Sequence, residues 1–233
     1  IANPKKPEFA MTPLSPPEKN RTRQKAQFEL KEDGSIEGEI EVSYEGHEAY
    51  LRRSFFSEET EEDNKEQLQK SIRNRFSTAE VLRVSAAPQG SGYNYSYRVK
   101  IPGYAQLTGR RLLLLPSYFN RNFQQRFKTS VRTLPVYFNY PWSESEEVHF
   151  KLPPGYQLDS AESPGNVDMG AVGKYETSIG IHTATNTLVY KRQFQFGDGA
   201  NILLPAESYG ALKRAFDAMH KLDNHIVPLK QGD

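Results

Sequence analysis

Tyr93, Tyr95 and Tyr97 stand at every second position and are continued in phase by Val99 and Ile101. In a strand these residues share one face. Such a tyrosine ladder can stack on a sugar or a peptide, or pack beneath a neighbouring layer. Trp142 next to Glu144, Glu146 and Glu147 is the second candidate, because an aromatic platform beside carboxylates is the makeup of a sugar-site corner. The histidines are His47, His149, His182, His220 and His225. His220 and His225 gather with Asp223 at the end of the last expected helix, but a spacing of five across a helix terminus is no metal motif. Basic side chains at a helix end complement its dipole, which is the plainer reading.

Other chemistries are excluded by composition. The chain has no cysteine, so disulfides, thiolate metal sites and cysteine nucleophiles are all absent. It carries no phosphate-cradling glycine loop, dinucleotide fingerprint, nucleophile elbow or zinc-binding helix motif. No catalytic residue, metal ligand or cofactor is therefore assigned, and Tyr93, Tyr95, Tyr97 and Trp142 stand as ligand-stacking candidates. The run Glu58, Glu59, Glu61, Glu62 and Asp63 reads as the solvated start of a helix, where carboxylates meet the positive end of the dipole. Residues 116–127 with Lys128 and Arg132 mix basic and aromatic types, as single-stranded nucleic acid prefers. The density is low and the formal charge of the 233 residues is only +1, so no nucleic-acid partner is expected. Asn20-Arg21-Thr22 and Asn94-Tyr95-Ser96 fit the glycosylation sequon.

The elements that must position these residues read as mainly β. Residues 1–23, with Pro4, Pro7, Pro13, Pro16 and Pro17, have the composition of an extended linker. Phe28 and Leu30 alternate with charges up to the turn Asp33-Gly34. Ile36, Gly38, Ile40, Val42 and Tyr44 then alternate with Glu37, Glu39, Glu41 and Ser43, predicting a strand with one wet face. A third strand is expected over 49–56. Ser57 or Thr60 can cap a helix over about 58–76, striped by Leu68, Ile72 and Phe76. Strands follow at 79–86, 93–101 and 104–115. Beyond an irregular stretch at 116–127, strands are expected at 130–138, 145–152, 156–160, 173–182 and 187–196. Pro205 opens a closing helix over about 205–222, with Tyr209, Leu212, Phe216 and Met219 on one face. The reading is two β-sandwich-like halves of antiparallel strands, 24–127 and 128–233, with one helix inserted in the first and one closing the second. One sheet running through both is compatible with the same strand count. The longest apolar run, Leu112-Leu113-Leu114-Leu115, is far short of the ~20 residues that span a bilayer, so no membrane insertion is expected. The opening Ile1-Ala2-Asn3-Pro4 reads as part of a longer or processed polypeptide.

Three stretches give the chain a family likeness. The first runs from Asn20 through Asp33-Gly34-Ser35-Ile36-Glu37-Gly38 to Tyr44-Glu45-Gly46-His47-Glu48-Ala49-Tyr50-Leu51-Arg52-Arg53. The second is Arg132-Thr133-Leu134-Pro135 leading to Phe150-Lys151-Leu152-Pro153-Pro154-Gly155-Tyr156. The third is Tyr190-Lys191-Arg192 leading to Leu204-Pro205-Ala206-Glu207-Ser208-Tyr209. Over roughly 20–225 the chain resembles the C-terminal region of bacterial transglutaminase-like proteins, in which β-rich modules flank a papain-like core. The family's nucleophilic cysteine has no counterpart here, so the resemblance implies an accessory, non-catalytic region that packs on or positions a core in the same polypeptide. It also implies an exported or envelope-associated setting, periplasmic or secreted. The alternative expectation is an independent peptide- or glycan-binding module.

Overall fold

A computed structural model describes residues 15–56, 60–159, 163–197 and 201–232. Residues 1–14 of the proline-rich segment, the candidate helix cap Ser57, and Glu58 and Glu59 of the acidic run lie outside the described residues. From the N-terminus the elements are β1 (Arg21–Leu30), β2 (Ile36–Tyr44), α1 (His47–Phe56), α2 (Glu61–Arg75), β3 (Glu80–Gln89), β4 (Gly92–Ile101), β5 (Gln106–Thr108) and β6 (Arg111–Leu114). They continue as β7 (Val136–Tyr137), β8 (Trp142–Lys151), β9 (Tyr156–Leu158), β10 (Val167–Asp168), β11 (Gly173–His182), β12 (Thr187–Phe196), β13 (Leu203–Leu204), α3 (Tyr209–Asp223) and β14 (Val227–Gln231).

One eight-stranded sheet, ordered β10-β11-β12-β8-β1-β2-β4-β3, carries the molecule. The mainly β class, the inserted helix and the closing helix agree with the sequence, and the large sheet is mixed and runs through both of the expected halves, 24–127 and 128–233. Within it β8 lies parallel to β1, pairing Ala26 with Val148 and Phe28 with Phe150; the other pairings among the described strands are antiparallel.

Because side chains alternate along every strand, the pairing sorts residues into rows. Tyr97, Ile40, Ala26, Val148 and Tyr190 form one row, and Val99, Gly38, Phe28, Phe150 and Leu188 the next, all on one face. That face is covered. The small sheet β5-β6-β14-β9 contributes Leu112, Leu114, Tyr156, Val227 and Leu229, and α2 contributes Ile72 and Phe76, to a common core with Phe28 and Phe150. Gly38 faces Phe28 closely enough that a Cβ would run into the Phe28 ring and the Gln27 carbonyl. A second cluster packs α3 through Tyr209, Leu212, Phe216 and Met219 against Trp142, Phe194 and Phe196. The opposite face is open and charged. Arg98 bridges Glu37 at 2.9 Å and Glu39 at 3.3 Å there, exposed pairs that add little stability.

Local chemistry explains the ends. Asp33 Oδ1 accepts from the Ser35 N–H at 2.9 Å while Gly34 adopts a positive φ, closing the β1–β2 hairpin. Thr60 and Asp63 form a reciprocal capping box on α2. The stretch expected as a strand over 49–56 is instead α1. Its first N–H groups have no capping side chain in the local sequence. Asn20, 27 residues upstream, fills that role, with Oδ1 accepting from the His47 N–H at 3.1 Å. The strand expected over 130–138 contracts to β7, and β14 beyond the closing helix was not anticipated. Its Val227 and Leu229 complete the small sheet between β6 and β9.

Asn20 is 1% exposed and every polar group of it that bears on packing is used. Its Nδ2 donates to the Pro141 carbonyl at 2.8 Å, and its own carbonyl accepts from the Ser143 N–H at 3.0 Å. One residue thus ties together the start of β1, the start of β8 and the start of α1. Asn20→Ala leaves buried groups on both partners unpaired and should cost about 2–4 kcal/mol, read as a lowered denaturant midpoint. A loss smaller than about 1 kcal/mol would show that water replaces the amide.

Candidate functional site

The covered face is apolar over most of its area, but at one end its inward positions turn polar. Along β1 the inward set is Thr22, Gln24, Ala26, Phe28 and Leu30, and only the last three are apolar and buried. The neighbouring rows continue the change: Tyr93, Tyr44, Thr22, Glu144 and Phe194 in one, Tyr95, Val42, Gln24, Glu146 and Arg192 in the next. No single layer covers this end. The helices α1 and α2 and the segments 119–126 and 137–140 together border a cleft of about 810 Å³.

The four sequence candidates meet in this cleft. Tyr93, Tyr95, Tyr97 and Trp142 all line it, with Thr22, Gln24 and Tyr44 on the floor. Their ring faces are nonetheless largely occupied. Tyr95 and Tyr97 stack on each other at 6.1 Å between centroids, and Trp142 packs against Phe138 at 5.6 Å and Phe196 at 4.7 Å. What they present is polar. The Tyr44 and Tyr95 hydroxyls lie 3.5 Å apart, and those of Tyr97 and Tyr118 lie 3.1 Å apart. Burial holds the phenols of Tyr95 and Tyr97 well above their ordinary pKa, so they remain protonated donors.

Sequence reasoning missed the arginines. Arg52 on α1, Arg75 on α2 and Arg126 in the loop also line the cleft. The Arg126 guanidinium lies 5.1 Å from the Phe138 ring centre, 5.2 Å from Trp142 and 5.5 Å from Phe216; loss of solvent there lowers its pKa, with the Glu144 charge opposing. Arg75 lies 4.7 Å from the Phe76 ring and 5.0 Å from Tyr118, and its Nη1 donates to the Phe119 carbonyl at 3.2 Å. Arg52 could be placed inward only by reading 49–56 as a helix, whereas Arg75, three residues after Ile72 and seven after Leu68, was in phase with the stripe of the expected helix.

Behind the cleft wall lies a buried polar network. Glu146, 1% exposed, accepts from the Phe119 N–H at 3.0 Å, Asn120 Nδ2 at 2.7 Å and the Ser117 hydroxyl at 3.2 Å. Burial raises its pKa to about 7, with Arg192 and the Phe119 N–H opposing. Arg192, 4% exposed, donates to Glu144 at 2.8 Å and to Asp223 at 3.0 Å, and Asp223 also accepts from the Tyr175 hydroxyl at 2.6 Å. Burial pulls the Arg192 pKa down, but Glu144 and Asp223 outweigh it and hold it above the ordinary value. Burial raises the Asp223 pKa, and Arg192 draws it back.

The remaining sequence candidates do not join the cleft chemistry. Glu147 points to the open face, where it accepts from or pairs with His149 Nε2 at 2.8 Å. His182 contacts Thr185, and Asn224 donates to the His220 carbonyl at the end of α3. His47 stacks on Tyr140 at 4.7 Å near the rim. The amide of Asn20 in the first sequon is buried and engaged. Among the described residues no group of three or more His, Asp or Glu side chains is placed to hold a metal ion. No helix among them is long and apolar enough to cross a membrane.

Residues 110–229 match a family described as a domain of unknown function, DUF3858. The matched span begins at β6 and ends within β14, so it takes in β8, β12, the Arg192 network and α3 but not the tyrosine strand. No curated protein and no solved structure matches the chain.

Glu146 gives a pH signature. Its folded pKa of about 7 lies above the ordinary 4.5, so the folded state holds a proton that the unfolded chain releases between those values. Its contribution to stability is full below about pH 4.5 and declines as pH rises to about 7. Urea midpoints across that window should therefore fall in the native protein, and Glu146→Gln should remove that part of the slope. An unchanged slope in the variant would assign the titration to another group.

Proposed function

The chain belongs to the DUF3858 family, and for this member we propose a non-catalytic binding module whose cleft takes an extended peptide. The observation that carries the reading is the cleft itself: about 810 Å³ at one end of the eight-stranded sheet, in the size range usual for ligand sites, with a polar floor set into an otherwise apolar face. An extended peptide asks for donors and acceptors in alternation. Tyrosine hydroxyls, Gln24, Asn120, Asn139 and Ser71 supply both. Leu51, Phe123 and Tyr137, all more than half exposed, give the rim apolar places for side chains. A glycan would need an open aromatic face, and the faces of Tyr97 and Trp142 are already packed. That weighs for peptide over sugar.

A second reading follows from the resemblance to transglutaminase-like proteins: the chain packs on, or positions, a papain-like core in the same extracytoplasmic polypeptide. The observation favouring it is the paired Tyr137 and Leu203, 62% and 60% exposed, preceded by exposed Val131 and Leu134. Apolar surface of this kind marks interaction sites. Mixing the chain with such a core should raise the thermal midpoint of the core, and Tyr137→Ser with Leu203→Ser should cancel the rise. No rise at saturating concentration removes this reading.

For the cleft, pools of unstructured octapeptides added to isotopically labelled protein should shift amide resonances of Gln24, Tyr44, Tyr95 and Asn120. Tyr95→Ala should weaken the interaction about 5-fold or more, the effect of losing about 1 kcal/mol of hydrogen bonding and contact. Shifts scattered over the open face, or none at millimolar peptide, would end the proposal.

A further inference from the structure

The charge balance in the cleft is uneven. Arg52, Arg75 and Arg126 line it, against Glu48 and Glu144. Both carboxylates are engaged. Glu48 accepts from the Tyr140 hydroxyl at 2.6 Å, while Glu144 accepts from Trp142 Nε1 at 2.9 Å and pairs with Arg192 at 2.8 Å from outside the cleft. Among the described residues none of the three arginines makes an ion pair. Arg75 Nε is buried without a hydrogen-bond partner. Arg52 and Arg126 hold their guanidiniums over ring faces, Arg52 at 4.9 Å from the Tyr44 ring centre.

A guanidinium laid on an aromatic face keeps its in-plane N–H groups free. Those edges form the fork that matches a carboxylate in two parallel hydrogen bonds. The rings also fix the guanidinium in place, so little side-chain freedom is lost when the fork closes. Arg126 shows this arrangement most fully, with three rings beneath it and none of its N–H groups hydrogen-bonded among the described residues. We propose that the cleft selects peptides bearing a carboxylate, with Arg126 as its anchor and Arg52 and Arg75 supplying the surrounding positive field. The proposal rests on the peptide reading above and specifies its ligand. A carboxylate can come from a free C-terminus or from an acidic side chain, and the two are separable.

Three pools of acetylated, fluorescein-tagged octapeptides without basic residues serve as probes. The first is amidated and free of acids, the second ends in a free carboxylate, and the third is amidated with a single glutamate. Either carboxylate pool should bind about 10-fold tighter than the neutral pool, a difference of about 1.4 kcal/mol. A preference for the second pool identifies the chain end, and a preference for the third identifies the side chain. The advantage should shrink when salt rises from about 50 mM to about 0.5 M, and Arg126→Gln should abolish it. Because salt titration needs no substitution, the test survives a variant that fails to fold. Equal binding of all three pools overturns the carboxylate proposal and leaves the peptide reading standing; binding of none overturns both. An advantage that persists in a folded Arg126→Gln protein overturns the role given to Arg126.

Discussion

The structure depends on the parallel pairing of β1 with β8. Their registers run from Arg21 against Ser143 to Glu29 against Lys151, with more than a hundred residues of intervening chain. A parallel pair cannot be made by a tight turn, and here the connection includes two helices and six further strands. Closing so long a loop costs entropy that hydrogen bonds of the ladder alone offset poorly. Burial supplies the rest. Phe28 and Phe150 meet across the junction at 5.4 Å between ring centres, and both contribute to the core shared with the small sheet. Asn20 fixes where the pairing begins, since its carbonyl and its amide hold the backbone on both sides of Trp142.

The same register creates the cleft. Bringing β8 beside β1 places Glu144 next to Thr22 and Glu146 next to Gln24, so polar inward positions from distant segments fall side by side. An apolar layer laid over them would strand those groups without partners. The fold instead borders these positions with α1, α2 and the 119–126 and 137–140 segments and leaves a cleft over them. The gap is a consequence of what the floor is made of.

Much of the sheet was legible from alternation. The β1–β2 hairpin, the β4 ladder and the β11–β12 pair follow from period-two patterns and a turn at Asp33-Gly34. The stripe of α3 follows from Tyr209, Leu212, Phe216 and Met219, all of them buried. Helix α1 was hidden because its cap comes from Asn20 and not from a neighbour in sequence, so that Ala49, Leu51 and Phe55 read as strand. The cleft was legible only in part. Tyr93, Tyr95 and Tyr97 could be placed on one face, and Trp142 could be marked, but nothing local joins strands 45 residues apart. The strongest overlooked signal is phase: Thr22, Gln24, Glu144, Glu146 and Arg192 occupy inward positions of strands whose other inward residues are apolar. A polar residue in the buried phase of a strand needs a partner or water, and several in adjacent strands define a site.

Glu144 links the cleft to the far end of the fold. One carboxylate oxygen accepts from Trp142 in the cleft wall, and the other holds Arg192, which in turn holds Asp223 at the end of α3. Arg192 is buried and cannot be deprotonated under ordinary conditions, so its two carboxylates are required by its position. Removing either would leave a charge in low dielectric with half its compensation. The network therefore constrains Glu144 more tightly than a cleft residue needs for contact with a ligand. It also keeps the oxygens of Glu144 committed to Trp142 and Arg192, so that Glu144 acts on Arg126 through its field without forming an ion pair with it. The positive character of the cleft thus follows from the demands of a buried ion several residues away from it.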